Sequence, residues 1–298
     1  MKKKPVFRGS AVALVTPFDS LGVDYDALLR LVDRQIDAGT DALVVLGTTG
    51  EPSTLADSER RAVLSAVIER AGGRIPVVAG TGSNDTRRAV HLAREAAALG
   101  ADAQLCVTPY YNKATQRGLV QHFTAVADAA PLPLILYNVP SRTGVNLLPE
   151  TVQELCAHEN VAGVKEAVGD VVQVAELFRL CHDEIAIYSG NDDQTLPLLA
   201  YGGDGVISVA ANVCPGAMVR MTHAYFAGDV KAARDAQLTL LPLMRALFMQ
   251  VNPIPVKAAL SLLGLCENRL RLPLTALEGE DLDRLRRALG VLDGELKD

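Results

Sequence analysis

Short aliphatic runs alternate with amphipathic segments along most of this chain, and that alternation limits the folds open to it. Eight runs fall at residues 11–15, 42–46, 76–79, 103–107, 134–137, 161–165, 185–189 and 206–209. They are mostly apolar along their length rather than at every second position, which suits parallel strands buried on both faces. The segments between them carry helical spacing. Leu28, Leu31, Val32 and Ile36 recur within 25–38, and Ala89, Val90, Ala93, Ala96, Ala97 and Leu99 within 86–99. A third segment, 57–71, opens on acidic residues, and Ser53 or Asp57 is placed to cap it. Gly39, Gly72 and Gly100 stand where such helices end on a left-handed residue.

Eight βα units in one chain predict a (β/α)8 TIM barrel. The 298 residues suffice, since one barrel takes ~250. A doubly wound dinucleotide-binding sheet lacks its main support, because no glycine fingerprint follows the first run. After the eighth run the strand signal stops. Residues 229–249, 254–263 and 276–290 read as helices, with Pro253 and Pro255 punctuating a helix start. The expected organisation is a catalytic barrel of residues 1–225 and a C-terminal helical domain of residues 226–298.

Charge and composition narrow the function. A formal net charge of −6 repels phosphate backbones, so nucleic acid is not an expected partner. No apolar run reaches the roughly 18–20 residues of a membrane span, and a membrane is not an expected partner either. The basic start, Met1 to Lys4, lacks the apolar stretch of a signal peptide and reads as a solvated tail. Cys106, Cys156, Cys181, Cys214 and Cys266 are scattered without a Cys-x-x-Cys pair, against a disulfide framework or a zinc site. Four of them sit in apolar surroundings as small core residues. His91, His122, His158, His182 and His223 have no metal-ligand spacing. The expected compartment is the reducing cytoplasm.

In such a barrel the chemistry gathers at the C-terminal ends of the strands. Lys165 ends the sixth run, in Val164-Lys165-Glu166. Desolvation there disfavours the ammonium, and a neutral amine can attack a ketone to form a Schiff base. The plainer reading is a loop lysine paired with Glu166. Lys257 is the rival, in apolar surroundings but in the helical extension, away from the barrel mouth. Tyr137 ends the neighbouring fifth run and either moves protons for an imine or is a core tyrosine with its hydroxyl at the rim. Thr48 and Thr49, between Gly47 and Gly50, suit a small carboxylate or a proton relay, and equally an ordinary turn. Arg142 follows Pro140 and precedes Gly144, as a carboxylate clamp or a solvated loop arginine. Glu51, Asp192 and Asp193 read as structural rim residues.

Taken together, four motifs go further: Gly47-Thr48-Thr49-Gly50-Glu51, Thr108-Pro109-Tyr110-Tyr111, Tyr137-Asn138-Val139-Pro140-Ser141-Arg142-Thr143-Gly144 and Val164-Lys165-Glu166. Their order and content resemble the dihydrodipicolinate synthase family, from about Gly9 to past Gly264, and the stretch Asn252 to Lys257 is similar to that family's helical domain. The resemblance implies a condensation of pyruvate with aspartate 4-semialdehyde to 4-hydroxy-tetrahydrodipicolinate, on the diaminopimelate route to lysine. It implies Lys165 as the imine lysine and Tyr137 as proton donor and acceptor. Thr48 would link Tyr137 to Tyr111 in a relay, with Tyr111 supplied by a neighbouring subunit. Thr49, Gly190 and Ile207 would hold pyruvate, and Arg142 the semialdehyde carboxylate. The family uses neither metal nor organic cofactor and is usually a homotetramer, a dimer of dimers.

Sister enzymes, N-acetylneuraminate lyase and sugar-acid aldolases, share the lysine and tyrosine. The resemblance expects them to lack Ser141-Arg142-Thr143. A silent barrel that only binds pyruvate-like acids would have no need of both Lys165 and Tyr137. A last expectation is weak or absent inhibition by lysine. Lysine-sensitive relatives hold the ligand's ammonium with a glutamate where this chain has Arg88, and Asp57 and Arg60 stand where histidines are looked for. Pro52 also replaces a small polar residue, although Asn84 and Tyr110 still match.

Overall fold

The computed structural model describes residues 2–293. Eight strands, β1 (Gly9–Ala13), β2 (Ala42–Val45), β3 (Val77–Gly80), β4 (Ala103–Val107), β5 (Leu134–Asn138), β6 (Val161–Glu166), β7 (Ala186–Ser189) and β8 (Gly205–Ser208), close in sequence order into a barrel. The pairs are parallel, for example Tyr137↔Lys165 between β5 and β6 and Lys165↔Tyr188 between β6 and β7. Nearly every strand residue is buried, as unbroken apolar runs require. The helices are α1 (Tyr25–Asp37), α2 (Asp57–Ala71), α3 (Thr86–Leu99), α4 (Gln116–Asp128), α5 (Pro140–Thr143), α6 (Pro149–Cys156), α7 (Val171–Cys181), α8 (Thr195–Ala200), α9 (Pro215–Phe226), α10 (Val230–Ala246), α11 (Ile254–Leu262) and α12 (Gly279–Leu289).

Strand limits differ from expectation where side chains replace ladder partners. β1 stops at Ala13 because the Asn212 amide takes over: its Nδ2 donates to Ala13 O at 2.8 Å, and its Oδ1 accepts from Val15 N at 3.2 Å. β8 stops at Ser208 because Val209 already has helical dihedrals. Neither Ser53 nor Asp57 caps α2. The N-cap is Ala56, and its N–H donates to the Glu59 carboxylate at 2.9 Å.

The chain divides into two compact units. The first comprises residues 2–8 and Pro76–Ile207, with β3 to β7 and most of β8. Its basic start is anchored rather than a solvated tail. Lys3 Nζ donates to the carbonyls of Cys156, His158 and Val161 at 2.7, 2.6 and 2.9 Å, just past the end of α6. A cation there meets the negative end of the helix. Phe7 stacks on Tyr188 at 4.3 Å and accepts its hydroxyl at 2.9 Å. Cys106, Cys156 and Cys181 are buried, as expected of core cysteines. The second unit comprises Gly9–Ile75 and, among the described residues, 208–293. There α1 packs on α2, and α10 on α9 and α12. Among the described residues no helix is long and apolar enough to cross a membrane.

Candidate active site

Lys165 lies in β6, with only 5% of its surface exposed. Alternation along the strand sends neighbouring side chains to opposite faces, so Glu166 is not its partner. Glu166 instead accepts from Asn138 Nδ2 at 3.0 and 3.1 Å and from Val168 N at 2.7 Å. Register places Lys165 directly across from Tyr137, with Nζ 4.5 Å from the centre of the phenol ring. Burial lowers the Lys165 pKa to about 8; Asp192 opposes the shift and Arg142 adds to it. At pH 7 roughly a tenth of such a group is neutral, against a few parts in ten thousand for an ordinary lysine. A buried amine beside a phenol is equipped to attack a carbonyl and exchange protons with the adduct.

Gly190 gives that side chain its space. A Cβ there would stand 2.7 Å from Ala167 Cβ and 3.0 Å from Lys165 Cε. Asp192, two residues on, is buried rather than at the rim, and Ile207 is buried in β8. Arg142 belongs to α5, which Gly144 terminates with φ 71°. Its side chain is exposed, and its charge helps to lower the Lys165 pKa. Tyr111 is 87% exposed and has φ 74°. A tyrosine rarely occupies that region. Its N–H donates to Thr143 O at 3.3 Å, joining the loop after β4 to the loop after β5.

In the second unit, Thr48–Gly50 form a single 3-10 turn after β2. Thr48 is half-buried and Thr49 buried. Gly50 lies flat on β1's continuation, where a Cβ would come within 3.3 Å of Leu14 O and Thr16 Oγ1. Two residues from the C-terminal segment brace this turn. Asn252 Nδ2 donates to Thr49 Oγ1 at 2.9 Å, and Lys257 Nζ meets Glu51 Oε1 at 2.6 Å. Lys257 is therefore beside the Gly47–Glu51 motif, contrary to the expectation that it lies away from the strand ends. Glu51 is a buried ion-pair partner rather than a rim residue. Neither brace was legible in advance. A helix-borne Asn and Lys two hundred residues downstream carry no local signal of what they touch; only the apolar setting of Lys257 hinted at burial.

Fold and site together define a class: a (β/α)8 barrel with a desolvated lysine at the end of its sixth strand, fitted for carbonyl chemistry. The chain belongs to the dihydrodipicolinate synthetase family, whose profile matches residues 6–291. The 4-hydroxy-tetrahydrodipicolinate synthase of a Thermoanaerobacter species is 52% identical over 286 residues, which is 96% of each chain. That of Geobacter sulfurreducens is 53% identical, over 90% of this chain and 93% of its own. The crystal structure of dihydrodipicolinate synthase from Thermotoga maritima superposes with a TM-score of 0.94 at 45% identity, covering 96% of this chain and 100% of that one.

Proposed function

We propose that this chain condenses pyruvate with aspartate 4-semialdehyde to give 4-hydroxy-tetrahydrodipicolinate, the first committed step of the diaminopimelate route to lysine. The observation that carries this reading is Lys165: buried, poised near neutrality and 4.5 Å from the Tyr137 ring. Its neutral amine attacks the pyruvate ketone and water leaves, forming a protonated imine. The imine is an electron sink, so the methyl group loses a proton and becomes an enamine nucleophile. The enamine carbon attacks the semialdehyde aldehyde. The amino group of that substrate then displaces the lysine amine as the ring closes, and Lys165 is regenerated.

Tyr137 carries protons to and from the adduct, with Thr48 and Tyr111 supplying the other hydroxyls of the relay. Thr49, Gly190 and Ile207 hold pyruvate, and Arg142 clamps the semialdehyde carboxylate. The relay and the chain's assembly are one proposal: a homotetramer, as a dimer of dimers, in which Tyr111 serves a neighbouring subunit. An exposed tyrosine on left-handed backbone supports it, because a subunit that used its own Tyr111 would have reason to bury it. The working compartment is the cytoplasm.

Coupled turnover of pyruvate with aspartate 4-semialdehyde tests the reading. Turnover with that pair and none with pyruvate and N-acetylmannosamine is expected. The reverse pattern would assign the chain to the sister lyases, and imine formation without turnover to a binding protein.

Lysine is expected to inhibit weakly or not at all. Arg88 lies on α3, and Arg60 is buried on α2 with Nη1 3.2 Å from Pro52 O. Cations at these positions repel a ligand ammonium. Initial rates in a lysine titration at saturating pyruvate check this; strong inhibition would contradict it, and Arg88→Glu should then be without further effect.

A further inference from the structure

We propose that Glu166 is a positioning residue for the second substrate: through Asn138 it fixes the loop that carries Arg142, and so governs capture of the semialdehyde rather than formation of the pyruvate imine. This rests on the reading of Arg142 as the carboxylate clamp.

Glu166 is buried in β6, directly across from Asn138 in β5. The two residues follow Lys165 and Tyr137, so alternation turns both away from the imine pair. Burial pushes the Glu166 carboxyl up to about 7, while bonds from Asn138 and from the N–H groups of Val168 and Ala167 pull it back. A buried carboxylate held by amides, without a cation at ion-pair distance among the described residues, is a poor choice for stability. Its use lies in what it orients. Both carboxyl oxygens of Glu166 lie against Asn138 Nδ2, at 3.0 and 3.1 Å, which turns the nitrogen of that amide toward Glu166. The Asn138 oxygen is then left facing the loop, where it accepts from Leu147 N at 2.9 Å.

Between Asn138 and Leu147 lie residues 139–146, Arg142 among them. The far end of this loop is tied again. Asn138 Nδ2 is 2.9 Å from Asn146 Oδ1. Asn146 and Gln173 exchange bonds at 2.7 and 3.0 Å, and Gln116 Nε2 donates to Asn146 O at 2.8 Å. Within the loop, Thr143 Oγ1 bonds Val145 O at 2.9 Å. Arg142 lies inside this tied stretch, so its backbone is placed by the two loop ends, both of which the Asn138 amide holds. A glutamine at 166 can turn an NH2 toward Asn138 and lets that amide flip, which releases the Leu147 end. A purely structural Glu166 would instead affect both substrates alike.

The test uses the intact protein and two readouts: the pyruvate concentration for half-maximal borohydride trapping, and the semialdehyde KM at saturating pyruvate. Glu166→Gln should raise the semialdehyde KM about three- to tenfold, the range for one lost hydrogen bond, and leave the trapping midpoint unchanged. The double exchange of Glu166→Gln with Asn138→Asp again sets an acceptor against a donor and should recover most of the loss. Equal shifts for both substrates, no shift, or a double exchange worse than Glu166→Gln alone would overturn the proposal. Arg142→Ala is run alongside. If it raises the semialdehyde KM and Glu166→Gln does not, only the positioning role fails. If Arg142→Ala leaves that KM unchanged, the clamp reading falls and this inference with it. Should Glu166→Gln not fold, Asn138→Ser breaks the same link from β5, with the same selective loss expected.

Discussion

Two of the described lysines are buried, and their surroundings assign them opposite tasks. Lys257 is 0% exposed, 2.6 Å from the Glu51 carboxylate and 3.9 Å from the centre of the Phe18 ring. Burial lowers its pKa, and Glu51 opposes that by contact and by a hydrogen bond. An amine that donates to a carboxylate at this distance is held as an ammonium, and an ammonium has no lone pair with which to attack a ketone. Lys165 is 5% exposed, faces an aromatic ring, and feels an anion and a cation, Asp192 and Arg142, that pull its pKa in opposite directions. Burial alone therefore does not make a nucleophile. What matters is burial without a carboxylate close enough to fix the charge.

Replacement of each lysine should separate the two roles, beginning with activity. Lys165→Arg keeps a charge that cannot be lost and should lower turnover by more than about a thousandfold. A variant that keeps a tenth of the activity would place the chemistry elsewhere. Lys257→Met strands the Glu51 carboxylate in the interior, which should cost about 3–5 kcal/mol in denaturant unfolding. The folded fraction should still form the pyruvate adduct, and loss of adduct in properly folded protein would undo the contrast.

A smaller effect runs in the opposite direction. The folded pKa of Lys165, about 8, lies below its ordinary value of 10.5. The unfolded chain therefore binds this proton more tightly, and the penalty on the folded state is fully present below about pH 8 and gone above about 10.5. Lys165→Met should thus stabilise the protein at pH 7, by on the order of 1–3 kcal/mol, with the gain fading as pH rises through that window. Unfolding titrations at pH 7 and pH 10 check this, and destabilisation at pH 7 would show Lys165 to be a structural cation like Lys257. Least in size is the shift of the pH midpoint for adduct formation, which should lie near 8. Asp192→Asn removes the anion that raises the Lys165 pKa and should move the midpoint down, while Arg142→Ala should move it up. Shifts in the same direction would contradict the assigned causes.

The barrel was legible because its strands are buried on both faces, so composition alone marks them. Lys165 and Tyr137 were legible because each ends such a run, and register then brings them together without any further signal. The braces were not. Asn252 and Lys257 act on a turn two hundred residues upstream, and Asn138 and Glu166 differ in no local way from polar residues on any loop edge. The cap of α2 also escaped the sequence. Ser53 and Asp57 have the right chemistry, yet the extended Ala56 occupies the N-cap and Glu59 supplies the carboxylate. Motifs expose what a chain presents at strand ends, whereas contacts between distant segments require the fold itself.

Borohydride reduction in the presence of pyruvate, followed by digestion and mass mapping of the modified peptide, tests the difference between the two lysines most directly. The reduced adduct should sit on Lys165, with Lys257 unmodified and the labelling lost in Lys165→Arg. A pyruvyl group on Lys257, or full labelling of Lys165→Arg, would contradict the account.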